Sequence, residues 1–132
     1  MTNLQVLDKI CWQVTGDPTN EAYLCNAEID IPPLMWKTMV LPGHRFTLVY
    51  PIKIGFEDIG EVDVPYDPEK MPVLVEDILE TIYQFYKERL GPQDYRSSPH
   101  DEIRSDTLGE LIQFTGLERA GQNRYRVKIE LR

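Results

Sequence analysis

At 132 residues, with 22 acidic against 14 basic side chains and a net charge of −8, the chain has room for one self-sufficient core and carries a field that repels phosphate backbones and anionic lipid. No stretch approaches the ~20 apolar residues of a membrane-spanning helix, and the opening MTNLQVLDKICWQV holds an acid and a lysine among its apolar residues, with no small-residue cleavage site. The expectation is a single globular domain over residues 1–132, soluble and intracellular, in the cytoplasm and off the membrane.

Ile10, Trp12 and Val14 alternate, which predicts a strand ending at the turn composition TGDPTN. A second strand is expected in EAYLCNAEIDIPP, with Tyr23, Cys25 and Ala27 on one parity and Pro32 and Pro33 closing it, since proline cannot donate to a ladder. Cys11 and Cys25 both fall in strand contexts without metal-ligand spacing, so two free buried thiols are the expected state, with a disulfide between them the less favoured alternative. LMWKTMV packs its apolar residues into one helical turn or a buried connector. Phe46, Leu48, Tyr50, Ile52 and Ile54 then share one parity of a strand, in which Pro51 asks for an edge position or a bulge. From Glu61 to Val64 a short strand alternates, Glu61 and Asp63 outward and Val62 and Val64 inward.

VLVEDILETIYQFYKERLGP carries the clearest periodicity. Val75, Ile78, Leu79, Ile82, Phe85, Tyr86 and Leu90 recur at spacings of three and four, the apolar face of an amphipathic helix over 75–90. Acids Glu76, Asp77 and Glu80 near its start and Lys87 and Arg89 near its end suit the helix dipole, and Gly91-Pro92 stops it. A polar loop follows over 93–106, and the chain closes on a hairpin turning through Ala120 to Asn123. Gly116, between Thr115 and Leu117, marks a bulge or a close backbone approach. Together these elements predict an α+β fold: an antiparallel sheet of about five strands with one long amphipathic helix packed on one face.

Two motifs stand in the second half. Val73, Val75, Asp77, Ile78, Leu79, Ile82 and Tyr83 form the first; Asp106, Leu108, Gly109, Phe114, Gly116 and Leu117 form the second, more specific one. Over residues 72 to 131 the chain resembles a fungal domain family of unknown function with a V-x-V-x-D-[VI]-L-x-x-I-Y helix motif and a D-x-L-G-x-x-x-x-F-x-G-L motif. Glu110 replaces a glycine frequent in that family, and a basic residue usual before the aspartate is displaced to Arg104. The resemblance implies an α+β module, stand-alone or appended, and carries no activity with it.

Candidate chemistry is sparse. His100, Asp101, Glu102 and Asp106 share the polar loop, the raw material of general acid/base catalysis, yet no nucleophile motif accompanies them and a solvated loop is the commoner reading. His44, in the turn PGHRF, is read as structural or exposed, and no phosphate-loop spacing occurs anywhere. No catalytic residue, metal ligand or cofactor is therefore assigned. Tyr83 and Phe85 are about 200° apart on a helical wheel, so Tyr83 is the aromatic expected at the margin of the helix and a contact residue for a partner.

The terminal run NRYRVKIELR alternates Arg124, Arg126 and Lys128 with Tyr125, Val127 and Ile129, which puts the cations on one face of a strand. Residues 57 to 80 hold nine acids against the single Lys70. If both strands share a sheet, cross-strand ion pairs account for the stripe without a ligand. The expected function is a non-catalytic protein-interaction module, with a protein partner or a second copy of itself, contacted through Tyr83, Arg124, Arg126 or Lys128. The alternatives are a small hydrolase-like enzyme using loop 93–106, and nucleic-acid binding through the C-terminal basic strand, which the acidic balance disfavours.

Overall fold

The computed structural model describes residues 4–26, 29–41, 45–53, 59–67, 73–88 and 111–131. A 3-10 turn, Leu4–Lys9, leads into β1 (Ile10–Gln13); α1 (Pro18–Glu21) then connects to β2 (Tyr23–Leu24) and β3 (Ile29–Asp30). Next come α2 (Pro33–Trp36), β4 (Met39–Leu41), β5 (Phe46–Lys53), β6 (Ile59–Tyr66), β7 (Val73–Leu74) and α3 (Val75–Lys87), and the long hairpin of β8 (Leu111–Gly121) and β9 (Arg124–Leu131) ends the chain. The α+β class is as expected. The sheet is larger, with seven strands in the order β3-β2-β1-β8-β9-β5-β6, and β4 pairs β7 in a second, two-stranded sheet.

The large sheet is mixed. All its pairs are antiparallel except β5 with β9, which run parallel over Thr47↔Arg124 to Val49↔Arg126. The parallel pair exists because the β8–β9 hairpin inserts between β1 and β5, and Thr47 N–H donates to the Asn123 carbonyl at its start. Pro51 therefore lies in an interior strand, though beyond the three residues that pair with β9, where a missing N–H breaks no bond on that side. Its carbonyl accepts from the Tyr86 hydroxyl at 2.9 Å, which pins the helix to the strand.

In place of one long helix over 75–90, helical structure is divided among short pieces. Helix α3 has 13 residues and stops at Lys87, with Glu88 already extended at ψ 157°. Its first turn is held from two sides: Asp77 accepts from the Leu74 amide at 3.1 Å, and the Val75 amide donates to the Thr38 carbonyl at 2.9 Å. Val75, Ile78, Leu79, Ile82, Phe85 and Tyr86 are all buried, so the predicted apolar face is the one that meets the sheet. Against it stand Ile10, Trp12, Phe46, Leu48, Tyr50, Val62, Phe114, Leu117, Tyr125 and Val127.

Aromatic rings order the centre of this layer. Tyr50 stacks on Phe85 with ring centroids 3.6 Å apart, Tyr86 meets both edge-on, and the Tyr50 and Tyr66 hydroxyls share a hydrogen bond at 2.6 Å. The buried phenols of Tyr50 and Tyr86 thus satisfy their polar tips.

The N-terminal strands depart most from expectation. The single strand predicted across residues 21–33 is two strands of two residues each, and Cys25 sits in the turn after β2. Cys11 and Cys25 are not free thiols: they form a disulfide, Cα atoms 5.1 Å apart, which joins β1 to the end of β2. The register pairs Cys11 with Tyr23, so Cys25, two residues on and of the same parity as Tyr23, lies diagonally across from Cys11 within reach of a disulfide. Among the described residues no helix is long and apolar enough to cross a membrane.

Candidate functional site

The strand β9 carries three of the four predicted contact residues. Tyr125 and Val127 are buried in the core, so Arg124, Arg126 and Lys128 project from the opposite face, as period-two alternation requires. All three have carboxylate partners. Arg124 Nη1 lies 2.7 Å from Asp63, Arg126 bonds Glu61 through Nε and Glu118 through Nη1 at 3.1 Å, and Lys128 Nζ lies 3.6 Å from Asp8. The Arg126 guanidinium is held above its ordinary pKa, chiefly by the hydrogen bond to Glu61 and then by that to Glu118.

The acids of β6 do face the cations of β9, but the strands are not neighbours. β5 runs between them, and Arg124 and Arg126 reach across it. Val49 occupies the gap: it is opposite Asp63 on one side and Arg126 on the other, shares their face, and has no exposed surface. An apolar seam thus lies within the ion pairs, and long side chains that bury their stems while keeping their heads wet are suited to flank it. Glu118 comes from the strand on the other side of β9, in register with Arg126, and Asp8 from the N-terminal 3-10 turn. Neither partner was evident from the sequence, because pairing with Arg126 depends on hairpin register and pairing with Lys128 on a contact between the two ends of the chain.

Tyr83 is partly buried against the core rather than protruding, and Lys87 Nζ stands 5.4 Å from its ring centroid. It lies apart from the β9 cations, which occupy the far face of the sheet. His44 and the set His100, Asp101, Glu102 and Asp106 lie outside the described residues.

A different surface gathers apolar and acidic groups. Between β6 and α3 runs a groove of about 440 Å³, floored by Val64, Tyr66 and Phe85 and walled by Glu80, Gln84 and Glu88. Glu80 and Gln84 lie one turn apart on α3, and Glu88 follows at its C-cap. The amide of Gln84 donates to Glu80 at 2.9 Å. Among the described residues β6 pairs with β5 and terminates the sheet at this side.

A second, polar cleft of about 300 Å³ lies between Gln13, Glu21, Tyr23 and Gln113. Gln13 and Gln113 are direct cross-strand partners, and Tyr23 is brought beside them by β2.

No family model, no curated protein and no solved structure matches the chain.

Proposed function

We propose that the protein is a non-catalytic, intracellular interaction module that takes an extended, cationic and apolar segment of a partner protein along β6. The observation that supports this reading is the coincidence of a sheet-terminating strand with an acid-walled apolar groove beneath it. An added strand gains backbone hydrogen bonds from the edge and specificity from the pockets under alternate side chains. Same-face residues of an extended strand recur every ~6.6–6.8 Å, close to the ~6 Å of helix axis between Glu80 and Gln84, beyond which Glu88 closes the groove at the helix C-cap. The fitting segment has cations two same-face positions apart with a neutral residue between them. A chain of net charge −8 attracts such a segment over distance.

The same edge is the natural one for self-pairing, but two acidic copies repel. Nucleic-acid binding through β9 is less well supported, since Arg124, Arg126 and Lys128 all spend their charge on carboxylates of the same chain. Selection from a display library of random linear peptides tests the reading, with a variant of Thr81, which also lines the groove, as the counter-target: Thr81→Arg fills the groove with a cation. Enrichment of extended Lys- or Arg-containing apolar sequences that the variant fails to retain is the expected result. Enrichment without charge preference, equal binding to the variant, or a dimer in sedimentation that excludes the peptides would overturn it.

A further inference from the structure

We infer that the Cys11–Cys25 disulfide is a redox-operated clasp on the β2–β3 edge of the sheet, one whose opening releases that edge and dismantles the polar cleft beside it while the rest of the fold persists. This rests on the intracellular setting proposed above and is independent of the groove at β6, which lies at the other end of the sheet.

The backbone around the bond is lightly held. β1 and β2 share two register pairs, Ile10↔Leu24 and Cys11↔Tyr23, and β2 and β3 share two more; the Cys25 amide adds one bond to the Lys9 carbonyl at 3.0 Å. By contrast β5 and β6 are in register over eight residue pairs, and β1 keeps its own contact with β8 through Trp12↔Phe114 and Gln13↔Gln113. Apolar anchoring follows the same division. Ile10 and Trp12 are in the core, whereas Tyr23 is 37% and Ile29 54% exposed; within β2 and β3 only Leu24 packs against the core, between the buried flanking residues Ala22 and Ile31, so the two strands themselves have little burial to hold them once the covalent link is gone. The cysteines are themselves only partly buried, and the proposed clasp opens by attack of a small thiol on one of the sulfurs.

The chemistry needs a dithiol or glutathione-type reductant. Its thiolate attacks one sulfur of the pair, the S–S bond breaks, and a mixed disulfide forms with the other cysteine leaving as thiolate. A second reductant thiol then displaces the mixed disulfide, so two electrons and two protons pass to the chain, giving two cysteine thiols and an oxidised reductant. In a reducing compartment disulfides of this kind are transient and regulatory rather than permanent. The structural consequence is specific: Tyr23, one wall of the cleft that also holds Gln13, Glu21 and Gln113, is carried by β2 and leaves with it.

The test uses the full chain. Alkylation before and after treatment with millimolar reduced glutathione, read by mass spectrometry, reports the bond; backbone hydrogen exchange in both states reports the edge. The expected result is an alkylation-resistant pair that native-state glutathione opens, with exchange over Ile10–Cys11, 23–26 and 29–30 rising at least about tenfold and that of α3 and β9 unchanged. The double variant Cys11→Ser/Cys25→Ser should show the same local pattern without reductant. Free thiols in air-oxidised protein, a bond that resists glutathione until the chain is denatured, unchanged exchange on reduction, or global unfolding of the reduced protein or of the double variant would each overturn the clasp.

Discussion

Gly116 shows how one residue can carry information from both ends of the chain. Its φ is 124°, a conformation L side chains rarely adopt, and it sits where the β8–β9 register slips between Phe114 and Gly116. A Cβ built there would strike the carboxylate of Asp8, the same carboxylate that faces Lys128 at 3.6 Å. Gly116→Val should therefore destabilise through backbone strain of about 1–3 kcal/mol, with displacement of Asp8 from Lys128 added to it. Urea unfolding gives the check: a lowered midpoint at unchanged slope is expected, and an unchanged midpoint would mean that the backbone relaxes to ordinary extended geometry. A glycine interrupting an alternating stretch was enough to mark the bulge. The clash with Asp8 was not visible, because no local pattern says which distant side chain will lie over a bulge.

At the scale of elements, legibility followed the number of residues over which a pattern repeats. Helix α3 repeats its apolar spacing through three turns, and every residue of that face from Val75 to Tyr86 is buried as the period requires. Its end was misplaced toward residue 90 because Leu90 continues the spacing, while the backbone already leaves the helix at Glu88. β2 and β3 have two residues each, too few for alternation to register, which is why about five strands were expected in place of the seven of the large sheet. The parallel pairing of β5 with β9 has no local signature at all. Ile82 is the position where helix and sheet depend on each other most simply: it is mid-helix, fully buried and apolar. Ile82→Ala should cost about 2–5 kcal/mol, the range for truncating a buried branched side chain. A thermal or urea midpoint equal to that of the parent would show the face to be solvated.

Over the whole molecule, the two halves of the charge pattern are complementary. Two of the nine acids within residues 57 to 80, Glu61 and Asp63 of β6, are far from the cations of β9 in sequence, and the sheet brings them onto one face with β5 and its buried Val49 between. Arg126 is the hub, bonded to Glu61 on β6 and to Glu118 on β8, with side chains that are 38% (Arg126) and 39% (Glu61) exposed. Pairs so exposed are screened and contribute only ~0.2–1 kcal/mol each. Arg126→Glu should accordingly lower stability modestly, and adding Glu61→Lys should recover part of the loss, a coupling readable in a urea double-mutant cycle. Because these cations are already neutralised within a chain of net charge −8, few are left to displace counterions from a polynucleotide. A salt-titrated binding assay should therefore find only weak association with DNA or RNA at physiological ionic strength. Zero coupling in the cycle, together with tight and steeply salt-dependent polynucleotide binding that Arg126→Glu abolishes, would reverse the assignment and make the basic face a nucleic-acid surface.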